Sequence, residues 1–156
     1  MKALPHTHSC FVCGDANPRG LKLRFETDGR TVTTRFRPAA EHVGFKGVVH
    51  GGITATVLDE IMVWACAVAT RQFAFCAELN VRYLLPLLPD EEAVVTGELM
   101  ANRKGRIFEA RGVLHNAAGQ IIAEATGKYL PIKNVEVSQL VTDFVGDASW
   151  LLKPAS

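Results

Sequence analysis

The run VHGGITATVLDEIMVWACAVAT, Val49 to Thr70, sets what the rest of the chain must do. It opens as a turn, with a histidine and two glycines. Ile53, Val57, Ile61, Trp64 and Val68 then recur at helical spacing, which predicts one long helix over 53–70. The opposite side carries Ala55, Met62, Cys66 and Ala69, so the helix is apolar nearly all round and needs cover on most faces. Its anomaly is the adjacent pair Asp59 and Glu60.

The flanking sequence supplies the cover. Leu21 to Thr27 (LKLRFET) alternates strictly, and the Asp-Gly turn DGR leads into Thr31 to Phe36 (TVTTRF), predicting a hairpin. Pro38 to Gly47 is irregular. Beyond the helix come four strand-like segments, Phe73 to Leu84, Glu92 to Ala101, Arg106 to Asn116 and Gln120 to Leu130, with Asn116 to Gly119 as a hairpin turn. The expected class is α+β, a curved antiparallel sheet wrapped around one helix. Residues 1–20, with GDANPRG, read as a lead-in loop, 21–132 as the domain and 133–156 as a tail. Within the tail, SQLVTDFVGDASWLL predicts a short amphipathic helix from Ser138, with Leu140, Val141, Phe144 and Val145 on one side, covering an edge or meeting a partner subunit.

Composition narrows the function. The 156 residues suit one domain, and 48% apolar with 21% charged residues exclude wholesale disorder. Seventeen basic against sixteen acidic side chains leave +1, so no global field draws in nucleic acid or an anionic membrane. MKALPHTHSC has no apolar run of a secretory signal, and the uncharged run Ile61 to Thr70 is too short to span a bilayer. A cytoplasmic protein with free thiols is expected, with Cys66 and Cys76 buried as small hydrophobes. The segment HTHSCFVCG offers His6, His8, Cys10 and Cys13 as zinc ligands, but two histidines so near the terminus with no downstream ligand pair make half a site. The preferred reading is no metal, with the cysteines flanking a tight turn that packs Phe11 and Val12.

On an ideal helix Asp59 lies roughly 200° from Val57, away from the Ile53/Val57/Ile61 face. An ionised carboxylate buried without partners costs several kcal/mol. Asp59 therefore needs a partner, a raised pKa or an opening to solvent. Arg71 and Arg82 are candidate ion-pair partners for Asp59 or Glu60. At the helix start, Gly51 and Gly52 leave backbone N–H groups unhindered and aligned to favour developing negative charge. From there to Asp59 is about two turns, roughly 10 Å. Donors and carboxylate of one chain cannot reach the same atom, so a shared site requires a second, antiparallel copy of the helix.

GVVHGGITATVLDE, followed by ELNVRYLLPL and NRKGRIFEARGVLHNAAGQIIAEATGKYL, resembles the hotdog-fold acyl-CoA thioesterases of the phenylacetate-pathway (PaaI-like) type. CFVCGDANPRGLKLRF is similar to a lead-in of one branch, so the resemblance covers roughly Ser9 to Ile132. It implies a hotdog fold, a homodimer often paired into a homotetramer, and active sites at the dimer interface. The implied reaction is hydrolysis of an acyl-CoA substrate, with no cofactor beyond the CoA of the substrate. Asp59 matches the catalytic carboxylate, base or nucleophile. Gly51, with Gly52 beside it, matches the donor that polarises the carbonyl, and His50 the adjacent histidine, whose ring either meets substrate or orders the turn.

Two positions depart from the family pattern. Cys76 stands four residues before Asn80, where a Ser or Thr hydroxyl often holds the attacking water, and a thiol is a weaker partner. Gly44 stands where Asn or Gln is common, with His42 as a polar substitute. Glu60 is the rival base, since another hotdog branch uses a glutamate here; only one of the pair can face the site, and Asp59 is preferred, with Glu60 a structural or charge-pairing neighbour. The basic turn Arg103, Lys104, Gly105 and Arg106 is the candidate for CoA phosphates, joined by Arg82, Asn80 and Lys128; its rival reading is a solvated hairpin. Met62, Trp64, Phe73 and Phe75 line an acyl tunnel or are plain packing. Competing functions are a hydratase or dehydratase using His50 with Asp59, and a non-catalytic acyl-CoA sensor.

Overall fold

Helix α1 runs Gly51–Thr70, two residues longer at its start than the apolar periodicity alone marks. The extension has a local cause: the His50 ring accepts the Gly52 N–H at 2.8 Å and caps the helix. At the other end Arg71 adopts a left-handed conformation (φ 57°) and returns its N–H to the Ala67 carbonyl. The computed structural model describes residues 1–152; residues 153–156 and the side chains of 134–136 lie outside the description.

The strands are β1 (Lys2–Ala3), β2 (His6–Thr7), β3 (Glu26–Thr27), β4 (Thr31–Phe36), β5 (Ala74–Tyr83), β6 (Ala93–Arg103), β7 (Ile107–Asn116), β8 (Ile121–Pro131) and β9 (Phe144–Val145), with helix α2 at Asn134–Leu140. Seven of them form one antiparallel sheet in the order β1-β3-β4-β6-β7-β8-β5, while β2 pairs with β9. The sheet lies against α1, as the all-round apolar helix required. Val57, Leu58, Ile61 and Met62 are fully buried and Trp64 nearly so. Each such side chain contributes about 1.5–3 kcal/mol by leaving water. By length and composition α1 is apolar enough to cross a bilayer, which the run Ile61–Thr70 alone is not, but here it is the core helix of the sheet.

The remaining cover comes from both ends of the chain. Trp64 packs against Phe25, Phe73 and Phe144 at centroid distances of 6.1, 5.8 and 6.1 Å. Cover is incomplete, for Ala69 is exposed. The sheet ends on β5, a ten-residue strand whose outer edge has no partner strand among the described residues and which exposes Phe75 and Tyr83.

Four local expectations need correction. Leu21 to Thr27 keeps its alternating burial, but only Glu26–Thr27 joins the sheet. Lys22 turns to φ 55°, and Leu21 and Leu23 donate instead to the carbonyls of Phe11 and Val12, so the lead-in segment satisfies them. That segment also contributes β1 and β2, where only loop was expected. The tail helix ends at Leu140 rather than beginning at Ser138, and Phe144–Val145 is a strand against His6–Thr7. Cys76 is exposed, unlike Cys66.

Candidate active site

Asp59 and Glu60 leave α1 in different directions, as the 100° step between neighbours requires. Asp59 is half-buried and points toward the β5–β8 end of the sheet, where the Tyr129 hydroxyl donates to its Oδ1 at 2.9 Å. Tyr129 is fully buried, and burial, reinforced by the Asp59 charge, pushes its hydroxyl far above the ordinary phenol range. It is a permanent neutral donor. The carboxylate thus has both a buried partner on one oxygen and partial access to solvent, two of the three resolutions open to it.

Register explains why Cys76 joins this pair. Cys76 faces Tyr129 across β5 and β8, and a bulge between Cys76 and Glu78 breaks the simple alternation of β5. The thiol donates to the Glu78 carbonyl at 3.6 Å, and burial followed by the Asp59 charge pushes it up to about 11, so it stays protonated. Tyr129 itself fits because residue 127 is glycine: a Cβ there would lie 2.6 Å from the Tyr129 ring.

Glu60 points elsewhere. Its Oε1 accepts the Trp64 indole N–H at 3.1 Å and the Cys10 thiol at 3.7 Å, and burial, then the Cys10 sulfur, pushes its carboxyl up to about 8. Neither expected arginine reaches the pair: Arg71 caps the helix, and Arg82 lies 3.7 Å from Glu124.

At the helix start, Tyr83 of β5 donates its hydroxyl to the Gly51 carbonyl at 2.6 Å and so fixes that peptide. Because the His50 Nδ1 accepts from Gly52, the Gly52 amide is engaged and Nε2 carries the proton in the neutral ring. The Gly51 N–H has no acceptor among the described residues. Of the two amides picked out from sequence, Gly51 is therefore the available donor. Two apolar clefts flank it: one of about 330 Å³ bounded by Val49, Tyr83, Leu85 and Ile122, another of about 340 Å³ bounded by Phe45 and Val48. His42 is spent on the backbone, its Nδ1 accepting the Ala39 N–H at 2.9 Å.

A sequence model of the thioesterase superfamily matches residues 46–123, which take in His50, Gly51, Asp59, Cys76 and Tyr83 on α1 and β5 and end before Tyr129. The chain belongs to the thioesterase superfamily. Human acyl-coenzyme A thioesterase 13 is 29% identical over 85 residues, covering 54% of this chain and 61% of that protein. The match thus spans less than two thirds of that relative. A crystal structure of a thioesterase superfamily protein superposes with TM-score 0.73 at 27% identity, over 79% of this chain and 63% of that one. The Escherichia coli PaaI protein of the phenylacetic acid degradation operon superposes with TM-score 0.68 over 76% of this chain and 86% of its own; at 17% identity it speaks for the hotdog fold alone.

Arg103 pairs with Ile107, and the next row runs Phe108, Tyr129, Cys76 across the sheet, so the β6–β7 turn stands at the Asp59 end. Arg103 is held by Glu109 at 2.6 Å, while exposed Lys104 and Arg106 form no ion pair with a described residue. Gly105 lies in the turn at φ 68° and donates to Asn102. Asn80 and Arg82 instead line an open cleft of about 410 Å³ with Arg111 and Glu124 on the sheet face. Met62, Trp64 and Phe73 are core packing, and Phe75 is 61% exposed. Tyr129 and Tyr83 are the site residues that sequence reading missed. Each looks like an ordinary aromatic in a strand, and only the packing of β5 and β8 over the start and middle of α1 reveals what its hydroxyl holds.

Proposed function

We propose that this chain is an acyl-CoA thioesterase of the PaaI-like type, working as a homodimer, itself able to pair into a tetramer. The observation that carries the reading is Asp59, a half-buried carboxylate with one oxygen fixed by a buried, un-ionisable Tyr129 and the other left for chemistry. Membership of the thioesterase superfamily supports it.

In this reading Asp59 acts on water as general base, or on the thioester carbonyl as nucleophile, and the Gly51 N–H binds the carbonyl oxygen as it becomes negative. The C–S bond breaks and the CoA thiolate takes up a proton; the carboxylic acid forms directly when water attacks, or, when Asp59 attacks, by water cleaving the mixed anhydride and freeing the Asp59 carboxylate. Gly51 and Asp59 of one chain stand about two helical turns apart, roughly 10 Å. A second copy, joined along the unpaired edge of β5, brings the Gly51 of one chain to the Asp59 of the other. Exposed Phe75 and Tyr83 on that edge support the contact. Lys104 and Arg106, uncommitted at the Asp59 end, suit CoA phosphates.

The test is thiol release from a panel of acyl-CoA esters. Asp59→Asn should abolish hydrolysis while the folded circular-dichroism spectrum and melting temperature persist; unchanged turnover would refute the role of Asp59. Tight binding of the esters without cleavage by the unaltered protein would make it an acyl-CoA sensor instead.

A further inference from the structure

The segment CFVCG and the carboxylate Glu60 lie far apart in sequence and meet in the fold. Cys10 and Cys13 stand three positions apart, at the start and the end of the turn that Phe11 and Val12 make in the lead-in loop, with Cys13 fully buried. Their sulfurs and a Glu60 oxygen all lie within 4.8 Å of one another. The turn is built to present both sulfurs to one side. The Val12 N–H reaches the Cys10 sulfur at 3.3 Å, and the Gly14 N–H closes the turn on the Cys10 carbonyl at 2.8 Å. A Cβ at Gly14 would collide with that same carbonyl. Thr7 braces the loop from behind, accepting the Cys10 N–H at 3.0 Å and contacting the Cys13 sulfur at 3.6 Å.

We propose that Cys10, Cys13 and Glu60 bind one thiophilic divalent cation of the zinc class, through two thiolates and a carboxylate oxygen, with a fourth position open to water. A tetrahedral ion with Zn–S near 2.3 Å and Zn–O near 2.0–2.2 Å sets its ligand atoms roughly 3.5–3.8 Å apart. The Cys10 sulfur and Glu60 Oε1 already stand 3.7 Å apart. Glu60 takes part in no ion pair among the described residues, so the three groups gather without a protein cation to balance them once ionised. The Trp64 indole supplies the outer hydrogen bond that orients the carboxylate.

The histidines that the sequence offered as partners are placed otherwise. His6 and His8 both turn to Asp15, at 3.3 and 3.1 Å. Sequence spacing supplied only half a site, because its third ligand is forty-seven positions beyond Cys13 and becomes visible only when α1 packs under the loop. The ion's effect would be mechanical: it fastens the lead-in loop to α1 at the residue next to Asp59. The inference stands apart from the proposed hydrolysis.

Cobalt(II) titration of the reduced full-length protein, freed of metal by chelation, reads the site directly. One cobalt per chain is expected, with thiolate-to-cobalt charge-transfer absorption and the intense visible bands of a tetrahedral ion, and zinc should displace it. Cys10→Ser and Cys13→Ser should each lose the two-thiolate spectrum. Glu60→Gln should keep the charge transfer but weaken affinity by more than the roughly 10–100-fold that loss of an outer-shell partner costs. His6→Ala/His8→Ala and Cys66→Ala/Cys76→Ala should bind as the unaltered protein does. Absence of stoichiometric cobalt binding by the unaltered protein overturns the proposal even if a variant fails to fold. Dependence on His6 and His8 with indifference to Glu60 overturns it as well, as does a Cys10–Cys13 disulfide that forms readily in the presence of zinc.

Discussion

If Gly51 and Asp59 meet only across two chains, two inactive variants should restore one another. Gly51→Pro removes the free N–H with little other change. Residue 51 is the first helical position, where proline is favoured, and His50 at φ −58° and ψ 133° already has the backbone that precedes proline. The added Cβ would meet the Tyr83 hydroxyl at 3.2 Å, a contact that a few tenths of an ångström relieve. Loss of an oxyanion donor should lower kcat by roughly 10²–10³, and Asp59→Asn should lower it further. In a dimer mixing the two variants, one site combines the intact Gly51 of one chain with the intact Asp59 of the other, and the second site has neither. Mixed dimers isolated with two affinity tags should therefore show about half the wild-type rate per dimer. An unsorted equal mixture, half of it mixed dimers, should show about a quarter. The assay is thiol release from the best acyl-CoA ester of the panel. Mixed dimers no more active than their parents would refute a shared site and return the chemistry to a single chain.

Tyr129→Phe removes a hydrogen bond to a carboxylate, worth about 1.5–3 kcal/mol, so kcat should fall roughly 10–150-fold with KM little changed. Because Tyr129 acts through Asp59, it should cost nothing more on an Asp59→Asn background; an equal loss there would refute the positioning role. With its thiol pushed up to about 11, Cys76 should hold roughly 100-fold less thiolate at pH 8 than an unperturbed thiol of 9.0 and, its thiolate being the better nucleophile, react with iodoacetamide about 10-fold more slowly, as followed by peptide mass spectrometry. Asp59→Asn removes the facing negative charge and should speed the reaction; equal rates would show that Asp59 does not act on the thiol. His50→Ala deletes the cap on Gly52 and should cost about 1 kcal/mol, lowering the melting temperature by about 2–4 °C in calorimetry. An unshifted transition would mean that the ring does not hold the turn.

Much of this was legible in the chain itself. Periodicity alone gives the helix and the four long strands, because a 3.6-residue or two-residue repeat of apolar side chains is a local property. HGG before an apolar helix that carries Asp59 likewise marks the site by spacing. Where the sequence misled, a distant partner had outbid the local pattern. Leu21 to Phe25 alternates like a strand yet bonds to Phe11 and Val12, and Phe144 has helical company in sequence but pairs in β9 with Thr7.

The sequence by itself determined that a helix apolar on nearly every face would be enclosed, and that Asp59 and Glu60, a residue apart, would point different ways. Only the tertiary structure decided what each would meet. The hydroxyl of Tyr129 reaches Asp59 because β8 pairs with β5 over that stretch of α1, and Cys10 reaches Glu60 because the lead-in loop crosses the other side. Such pairs are separated by fifty residues or more, and nothing in local spacing encodes them. They exist because burying one apolar helix draws distant segments of the chain onto its opposite faces.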